Sequence, residues 1–412
     1  MSETAASHGK LETNTSSGLG VLLFVSISSG LAFGVYDTFL PLYWDSVDMD
    51  RKLMGVIFAA SAAGVFVLRI YAGRLSDVFG RKLFYTLSLG VSSVAQFATP
   101  LLASSLVQAL LKTSRDAAGM VRETMHSVLL YERSAKRFMG SLGITRGAEF
   151  TCYGLGGLIG GLLIWFSTSA SQEPNFKVPF VFSAVLILIA TVAFGRFFKA
   201  GRIPQPDAQR VGSLRALFSA DLPSKLWVLV AFGFVFETGL FATHCFVMQI
   251  YFKTILTEAL HLDTVEMLLG VAVIMMLHRV TAGLPMMLVA PRLKKNFKGL
   301  FIGLVVCEGV AITATPFIPN PWIAIAVWLM HDLVGAGIWV PIHNHYIQKY
   351  ARPGSRGADV SKVLGLAQLG RVAGPLLAGV LFTVPMGYYE IGAPFAVGGI
   401  IMIMSSLILL KL

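Results

Sequence analysis

Residues 73–82 read Gly-Arg-Leu-Ser-Asp-Val-Phe-Gly-Arg-Lys and separate two long apolar runs. Glycine adopts backbone angles that other residues avoid, so Gly73 and Gly80 favour a tight turn and close approach. Asp77 has a side chain suited to capping a helix N-terminus. The Arg-Lys pair that ends the segment is typical of a short loop held on the cytoplasmic side of a membrane. The segment therefore predicts a cytoplasmic turn between two membrane helices.

The composition indicates that lipid is the solvent for most of this chain. Its 412 residues are 55% hydrophobic and only 13% charged, with a mean hydropathy of +0.71. Soluble domains carry about 25% charged residues, which this chain lacks. The net charge of +11 is spread over short loops rather than one soluble face, so we expect no nucleic-acid partner.

The apolar runs are long enough to span a bilayer, for which roughly 20 residues are needed. Twelve such segments can be counted, and an even number places both chain termini on the same side. The three cysteines lie inside these runs without Cys-x-x-Cys spacing, so we interpret them as packing residues. The predicted segments are 18–43, 52–72, 83–103, 105–131, 138–166, 178–199, 226–251, 264–290, 299–318, 322–348, 361–384 and 389–411.

Basic residues in the loops predict the orientation. Twenty lie on the side of the termini and four on the other side, namely Arg51, Lys52, Lys177 and Lys253. Because positively charged loops stay in the cytoplasm, both termini are predicted to be cytoplasmic. No short apolar core with a cleavage site follows the polar N-terminus. We therefore expect a bacterial cytoplasmic (inner) membrane or a membrane derived from it.

The chain divides into two repeated halves. The predicted parts are a disordered N-terminus (1–17), a first six-helix bundle (18–199), a basic linker (200–225) and a second six-helix bundle (226–412). Residues 156–161 align with 374–379 at an offset of 218, and 35–38 align with 235–238 at an offset of 200. Parallel repeats of this kind suit a transporter in which one half rocks against the other around a midplane site.

Two stretches carry a family resemblance. The order Gly-x-Leu-Ser-Asp-x-x-Gly-Arg-Lys in residues 73–82 resembles the loop signature between the second and third helices of the major facilitator superfamily. Leu111-x-x-x-Arg115-x-x-x-Gly119 resembles the family's fourth-helix signature, whose buried arginine is linked to proton coupling. Ala118 stands where that signature usually has glutamine. The resemblance implies an all-α polytopic membrane protein with twelve helices in two pseudo-symmetric six-helix bundles.

A third resemblance concerns small residues. Residues 152–161 are similar to the family's antiporter signature Gly-x-x-x-Gly-Pro-x-x-Gly-Gly, with cysteine at the first glycine and glycine at the proline. A closer copy begins at Gly370. The resemblance implies export by antiport, and the alternative is simple close packing of helices. The predicted packing residues are Gly156, Gly157, Gly160, Gly161, Gly374 and Pro375.

Charged residues at membrane depth are the candidates for a transport cavity. A charge near the bilayer centre costs at least ~2.5 kcal/mol unless it faces a cavity or a partner. In the fourth segment Arg115 and Arg122 share one helical face, with Asp116 and Glu123 on the adjacent stripe. The alternative is a structural network in which neighbouring charges neutralise one another. The predicted cavity residues are Asp37, Arg115, Asp116, Arg122, Glu123 and Glu237.

Asp37 and Glu237 occupy equivalent places in the first helix of each half, which would point both carboxylates toward one cavity. Two carboxylates in a low dielectric disfavour each other's ionisation, which suits proton exchange or cation binding. No metal site is assigned. Acidic and imidazole side chains converging from several helices remain weak candidates for metal ligands, namely Asp37, Glu237, His244, His331 and Asp332. Further polar residues at depth are Arg146, Glu149, His278, Arg279, Glu308, His343 and Arg371.

A latch between helices is predicted at the cytoplasmic end. Asp77 and Arg81 have a candidate partner in Glu132, which closes the fourth segment. Such a latch would hold the two halves together while the cavity opens outward. The gating residues are Gly73, Asp77, Gly80, Arg81, Lys82 and Glu132.

The sequence therefore predicts a secondary transporter, not an enzyme, that binds a small molecule or ion within the lipid bilayer, as a monomer. No Gly-x-x-x-x-Gly-Lys-Ser/Thr loop is present, which disfavours an ATPase. We expect no cofactor and the proton as coupling ion. Export of an organic solute or drug is favoured. The alternatives are a divalent metal such as iron, an organic anion, and a sensor or assembly partner that transports nothing.

Overall fold

The computed structural model describes the backbone of residues 3–102, 104–133, 138–168, 173–199, 221–289, 297–352 and 356–412. Within these ranges, the side chains of 3–17, 69–75, 77–79, 128, 131–133, 138–140, 348, 356–358, 360 and 361 are not described. The described chain is helical and contains no strand, which confirms the predicted all-α class.

The helices of the first half are α1 (Glu3–Ser46), α2 (Arg51–Phe79), α3 (Arg81–Ala98), α4 (Ser105–Arg133), α5 (Phe138–Ser167) and α6 (Lys177–Phe197). Those of the second half are α7 (Ser224–His244), α8 (Val247–Leu260), α9 (Thr264–Leu288), α10 (Lys298–Ala314), α11 (Pro321–His331), α12 (Gly337–Tyr350), α13 (Arg356–Ala367), α14 (Gly370–Leu381) and α15 (Ala393–Ile408). A π-helical turn, Asp332–Ala336, joins α11 to α12.

Ten segments of the described chain are long and apolar enough to cross a membrane. The third and fourth of the twelve predicted segments correspond to α3 and α4, which are not among the ten. α4 is less apolar than the others because it carries the charged stripe that the sequence analysis identified. Both helices are packed within the bundle, α3 against α4 and α6, and α4 also against α2.

Several predicted boundaries differ from the structure. α1 begins at Glu3, within the polar segment for which we predicted disorder; this segment contains no proline to interrupt a helix. The seventh span extends to Leu260 rather than to residue 251, because Tyr251, Phe252 and Ile255 are buried and continue the apolar face. The linker residues 200–220 lie outside the described chain.

The turn predicted over residues 73–82 is much shorter in the structure. α2 continues to Phe79, and the chain reverses at Gly80, whose φ of 95° lies in the region that glycine tolerates and other residues avoid. Asp77 is therefore in the last turn of α2, far from the start of that helix, and its predicted capping role lies outside the described side chains. The start of α2 is capped by Asp50, whose carboxylate accepts hydrogen bonds from the amides of Lys52 (2.7 Å) and Leu53 (3.0 Å).

The two halves meet along two pairs of helices, α5 with α9 and α2 with α14. Within the first half α1 packs against α5 and α6, and within the second half α7 packs against α14 and α15. The C-terminus lies at the same end as the starts of α7 and α10. There the ammonium of Lys225 donates to the carbonyl of Leu412 (2.7 Å), and that of Lys298 to the carbonyl of Leu410 (2.8 Å).

The opposite end, which the loop charges predict to face away from the cytoplasm, is called here the outer end, and polar and aromatic contacts join the halves there. Asp45 at the end of α1 forms an ion pair with Lys253 of α8 (2.5 Å). The guanidinium of Arg51 lies 5.3 Å from the ring centre of Phe382. Phe246 lies between Phe58 and Phe382, with ring centroids 5.8 and 5.6 Å away. The halves are therefore closed together at the outer end.

Candidate functional site

The first-half site is centred on Asp37 of α1. Its Oδ2 accepts a hydrogen bond from Nη2 of Arg115 on α4 (2.6 Å) and another from the hydroxyl of Tyr153 on α5 (2.8 Å). About 24% of the Asp37 side chain is exposed, against 9% for Arg115. Three helices thus converge on one carboxylate, which remains accessible at membrane depth.

Arg115 also serves a second carboxylate. Its Nη1 donates to Oδ1 of Asp116 (3.0 Å), and Asp116 is held further by the hydroxyl of Ser61 (2.6 Å) and by the ammonium of Lys112. The flat guanidinium lies 4.3 Å from the ring centre of Phe33, a cation–π distance. Asp116 thus helps to neutralise its neighbour Arg115, as expected from the alternative of a structural network of neighbouring charges.

One layer further along α4, Arg122 and Glu123 do not pair with each other, although the alternative of a structural network predicted that they would. Arg122 forms an ion pair with Glu149 of α5 rather than with its neighbour Glu123. Glu123 pairs instead with Arg146, which also donates to Glu149 (3.3 Å). Adjacent residues on a helix point in different directions, so each charge in this layer of α4 finds its partner on α5.

The second half carries its own pair. Nε and Nη2 of Arg371 on α14 donate to the two carboxylate oxygens of Glu237 on α7, at 2.8 and 3.0 Å. Such a bidentate pair fixes geometry as well as charge. About 34% of the Arg371 side chain and 21% of the Glu237 side chain are exposed. The Arg371 charge also interacts with those of Glu123 and Asp116 in the first half.

The expectation that Asp37 and Glu237 act as a carboxylate pair in one cavity stays a prediction, and the structure adds an arginine to each of them. Each is bound to an arginine from its own half, so its immediate neighbour is a guanidinium rather than a second carboxylate. The reason is that α4 and α14 supply an arginine at the required depth in each half. Of these arginines, the sequence analysis assigned only Arg115 to the cavity.

The two ion pairs, Asp37 with Arg115 and Glu237 with Arg371, are called here the polar centre. A histidine cluster lies beside it. The side chains of His244 (α7), His278 (α9) and His331 (α11) place one ligand atom each within 4.8 Å of one another. Asp332 contacts His278 and lies 3.5 Å from Nε2 of His331. The weak metal candidates His244, His331 and Asp332 are thus together with His278, whereas Asp37 and Glu237 belong to the ion pairs described above.

Arg279 connects the cluster with the first half. Its guanidinium lies 4.6 Å from the ring centre of Tyr153, whose hydroxyl binds Asp37. A second link is the amide of Gln249, which donates to the backbone carbonyl of Asp37 (3.2 Å). Tyr153 was not identified from the sequence. The offset of 218 aligns it with Arg371, and that alignment is a signal that could have found it.

The predicted packing residues lie at close helix contacts. A Cβ added at Gly156 would lie 2.0 Å from the Leu31 carbonyl, and one at Gly374 would lie 2.7 Å from the Thr238 carbonyl. Gly157 and Gly160 also face α1, whereas Gly161 faces Ala272 of α9. Pro375 is inside α14, and its carbonyl would lie 2.6 Å from a Cβ on Gly55.

The predicted latch is only partly described. Gly73, Asp77 and Glu132 lie in stretches whose side chains are outside the described residues. Gly80, Arg81 and Lys82 form the reversal between α2 and α3. The latch therefore stays a prediction.

Comparison with solved structures shows the same fold over nearly the whole chain. The nucleoside transporter NupG superposes with a TM-score of 0.71 at 12% identity, covering 95% of this chain and 98% of that one. A bacterial homologue of the human lysosomal transporter Spinster, inward-facing and unoccupied, gives 0.69 at 15% identity over 97% and 95%. The human organic anion transporter MFSD10 gives 0.67 at 15% identity over 96% and 99%.

Sequence comparison agrees with the fold. An uncharacterised MFS-type transporter of Methanocaldococcus jannaschii is 25% identical over 188 residues, which span 45% of each chain. The alignment thus covers about half the length of that relative. The sequence model of the Major Facilitator Superfamily matches residues 22–375. With this match, the two-halved helical arrangement and the paired charges at membrane depth, the chain belongs to the Major Facilitator Superfamily.

Proposed function

We propose that this secondary transporter moves a small organic solute by alternating access and exports it in exchange for protons. The observation that carries the proposal is the Asp37 carboxylate, held by Arg115 and Tyr153 and still partly exposed at membrane depth. A carboxylate in this position can take up a proton on one side of the membrane and release it on the other.

Protonation of Asp37 would change the contacts that hold three helices together. A neutral carboxyl no longer attracts the Arg115 guanidinium, which keeps Asp116 as its partner. The backbone of Asp37 is also bound by Gln249 of the second half. Proton binding and the relative position of the halves are therefore physically linked, and linkage of this kind lets a proton shift the equilibrium between two conformations.

The groups around the polar centre suit a solute that is both polar and partly aromatic. Glu123, Arg371 and Glu237 present both signs of charge, and Phe241 packs on Arg371 with 4.6 Å between its ring centre and the guanidinium. Transporters of nucleosides and organic anions share this fold. The glycine-lined faces of α5, similar to the family's antiporter signature, favour exchange over uptake.

The proposal is tested by transport into liposomes containing the purified protein. Uridine, an aromatic carboxylate and a quaternary ammonium dye serve as probes, each with and without a gradient of one pH unit. Such a gradient stores ~1.4 kcal/mol, enough for about tenfold accumulation in one-to-one exchange. We expect a probe to accumulate only when the gradient is present.

The matched variants are Asp37→Asn and Asp45→Asn, both on α1. Asp37→Asn should retain exchange of labelled for unlabelled probe and lose accumulation driven by the gradient. Asp45→Asn removes a carboxylate at the outer end, outside the polar centre, and should still accumulate the probe. Gradient-driven accumulation by Asp37→Asn at the normal level would reject Asp37 as the coupling residue. Absence of transport for every probe would favour a sensor or assembly partner.

A further inference from the structure

The histidine cluster is assembled from three helices of the second half. His278 lies near the middle of α9, and His331 precedes the π-helical turn between α11 and α12. His244 ends α7 where the seventh span is interrupted before α8. Interrupted membrane helices and π turns are features that often accompany binding sites, because they redirect side chains and free backbone groups.

In each imidazole Nδ1 has an oxygen acceptor. Nδ1 of His244 lies 3.2 Å from the carbonyl of Leu240, Nδ1 of His331 contacts the carbonyl of Trp328, and Nδ1 of His278 contacts the Asp332 carboxylate. A carbonyl or carboxylate oxygen can only accept, so Nδ1 carries the hydrogen in His331 and His278. The nearest oxygen to Nδ1 of His244 is the Thr243 hydroxyl (2.6 Å), which donates to the Leu240 carbonyl and therefore accepts from Nδ1. In the neutral rings Nε2 is then left with a lone pair.

One ring nitrogen of each histidine lies within 4.8 Å of those of the other two. Nε2 of His244 lies 2.9 Å from Nε2 of His331. Two lone pairs at this distance repel each other, so either a proton or a metal ion must lie between or beside the two nitrogens. Nε2 of His278 has no hydrogen-bond partner among the described residues, although the side chain is almost completely buried. A buried nitrogen without a partner is costly unless something binds it.

We propose that His244, His278 and His331 bind one divalent transition-metal ion through their Nε2 atoms. Nitrogen ligands lie about 2.0–2.1 Å from such an ion, which puts two of them about 3.4 Å apart in a tetrahedral site. The ring nitrogens lie within 4.8 Å of one another, so they must shift by up to about 1.4 Å to reach this value. Imidazole ligands select zinc, iron, cobalt, nickel or copper over magnesium and calcium.

Asp332 acts as the supporting carboxylate. It accepts the Nδ1 hydrogen of His278, and this contact fixes the orientation of the ring, as a carboxylate commonly does behind a metal-bound histidine. Its negative charge favours a cation, whereas the nearby charge of Arg279 opposes one. With three protein ligands the ion keeps an open position for water or a further ligand.

The metal site is independent of the proposed organic-solute transport, because its ligands all belong to one half and differ from the residues around Asp37. The experiment uses the full chain in detergent, with Co²⁺ and Zn²⁺ as the probes. Equilibrium dialysis measures bound metal per chain, and the visible absorption of Co²⁺ reports nitrogen ligation and coordination geometry. We expect one ion per chain and a tetrahedral Co²⁺ spectrum that Zn²⁺ abolishes.

The variants separate metal binding from folding. In His278→Asn and His331→Asn the amide nitrogen can replace Nδ1 as donor, while the atom that binds metal is lost. Binding should fall at least about tenfold in both, and Asp332→Asn should weaken it by about 10–100-fold. His343→Asn is the control and should bind metal as the wild type does. His343 is a half-buried histidine of the same half whose buried Nε2 also lacks a described partner, but it lies outside the cluster.

The competing hypothesis is that the cluster holds a proton instead of a metal ion. In that case Co²⁺ or Zn²⁺ would not bind stoichiometrically at neutral pH. That result would overturn the proposal. So would equal binding by the wild type and His278→Asn when both give a monodisperse protein that unfolds cooperatively. One bound ion per chain that is lost in His278→Asn and retained in His343→Asn is the result expected of the proposed site.

Discussion

Asp37 in the first half and Glu237 in the second occupy equivalent places in the repeat, but their arginine partners come from different helices. Asp37 is held by Arg115 on α4, and Glu237 by Arg371 on α14. The offset of 218 aligns Arg371 with Tyr153, which is the second partner of Asp37. The same position of the repeat thus supplies a hydroxyl in one half and a guanidinium in the other.

At the position of Arg115 it is the first half that has the arginine, and the second half has none. The offset places Arg115 on Leu333, inside the π-helical turn that follows His331. The second half therefore has no arginine at that position of its equivalent helix, and it carries the histidine cluster there instead. The first half thus holds a buried charge network at this depth, and the second half holds a cluster of three imidazoles.

Removal of the two arginines should have unequal effects on stability. Arg115→Met leaves Asp37 without its charge partner in a largely buried place, and breaking a buried pair on one side typically costs ~3–5 kcal/mol. Arg371→Met unpairs a carboxylate of similar exposure, but Arg371 is 34% exposed against 9% for Arg115, and Arg115 also holds Asp116, so we expect a smaller loss of about 1 kcal/mol. Unfolding by denaturant in lipid nanodiscs measures both losses. Equal losses would contradict the distinction between a buried and an accessible pair.

A second comparison uses two glycines of α5 that lie two residues apart. A Cβ at Gly156 would meet the Leu31 carbonyl of α1 at 2.0 Å, within the first half. One at Gly154 would meet the Met276 carbonyl of α9 at 2.6 Å, between the halves. We expect Gly156→Ala to lower the unfolding free energy by ~1–3 kcal/mol. Gly154→Ala should mainly slow transport, because the contact it disturbs must change as the halves move.

The measurements are thermal unfolding and probe exchange in liposomes, carried out on both variants. Gly143→Ala supplies the control, since a Cβ there meets no atom within 4 Å. If Gly154→Ala lost stability as strongly as Gly156→Ala while exchange stayed normal, the α5–α9 contact would be a fixed structural interface instead of a moving one.

The fold was accessible from the sequence because it depends on patterns that the chain repeats. Long apolar runs, basic loops on one side and the shared offset predicted the helices and the two halves. The apolar patterns did not show where a helix is interrupted. The breaks after His244 and at Asp332–Ala336 lie within apolar runs that a hydropathy profile treats as continuous. Helix α2 also continues through a polar segment that resembles a loop.

The candidate site could be predicted from the sequence only in part, and for a different reason. Charges at membrane depth are conspicuous, so Asp37, Arg115 and Glu237 were identified as polar groups that need partners. Their pairing depends on side-chain direction and on helices distant in the sequence, which spacing alone does not give. The sequence singles out His278 as a polar residue but does not group it with His244 and His331, because the three come from separate helices without any local motif.

The smallest expected effect concerns an arginine outside the membrane-spanning segments that serves two carboxylates. Arg352 donates to the buried Asp359 (2.7 Å) and to the exposed Asp221 (2.8 Å). Hydrogen bonds from Arg352 hold the pKa of Asp359 below its ordinary value. Asp359 therefore contributes stability that is present above about pH 4 and is lost as the pH falls through its lowered pKa.

Asp359→Asn should accordingly be less stable than the wild type at neutral pH, and the difference should shrink as the pH is lowered below about 4. Asp221→Asn should change stability less at every pH, because 75% of its side chain is exposed and screened by water. Thermal unfolding in nanodiscs across this pH range measures both. A difference between Asp359→Asn and the wild type that stayed constant with pH would show that Asp359 acts through packing rather than charge.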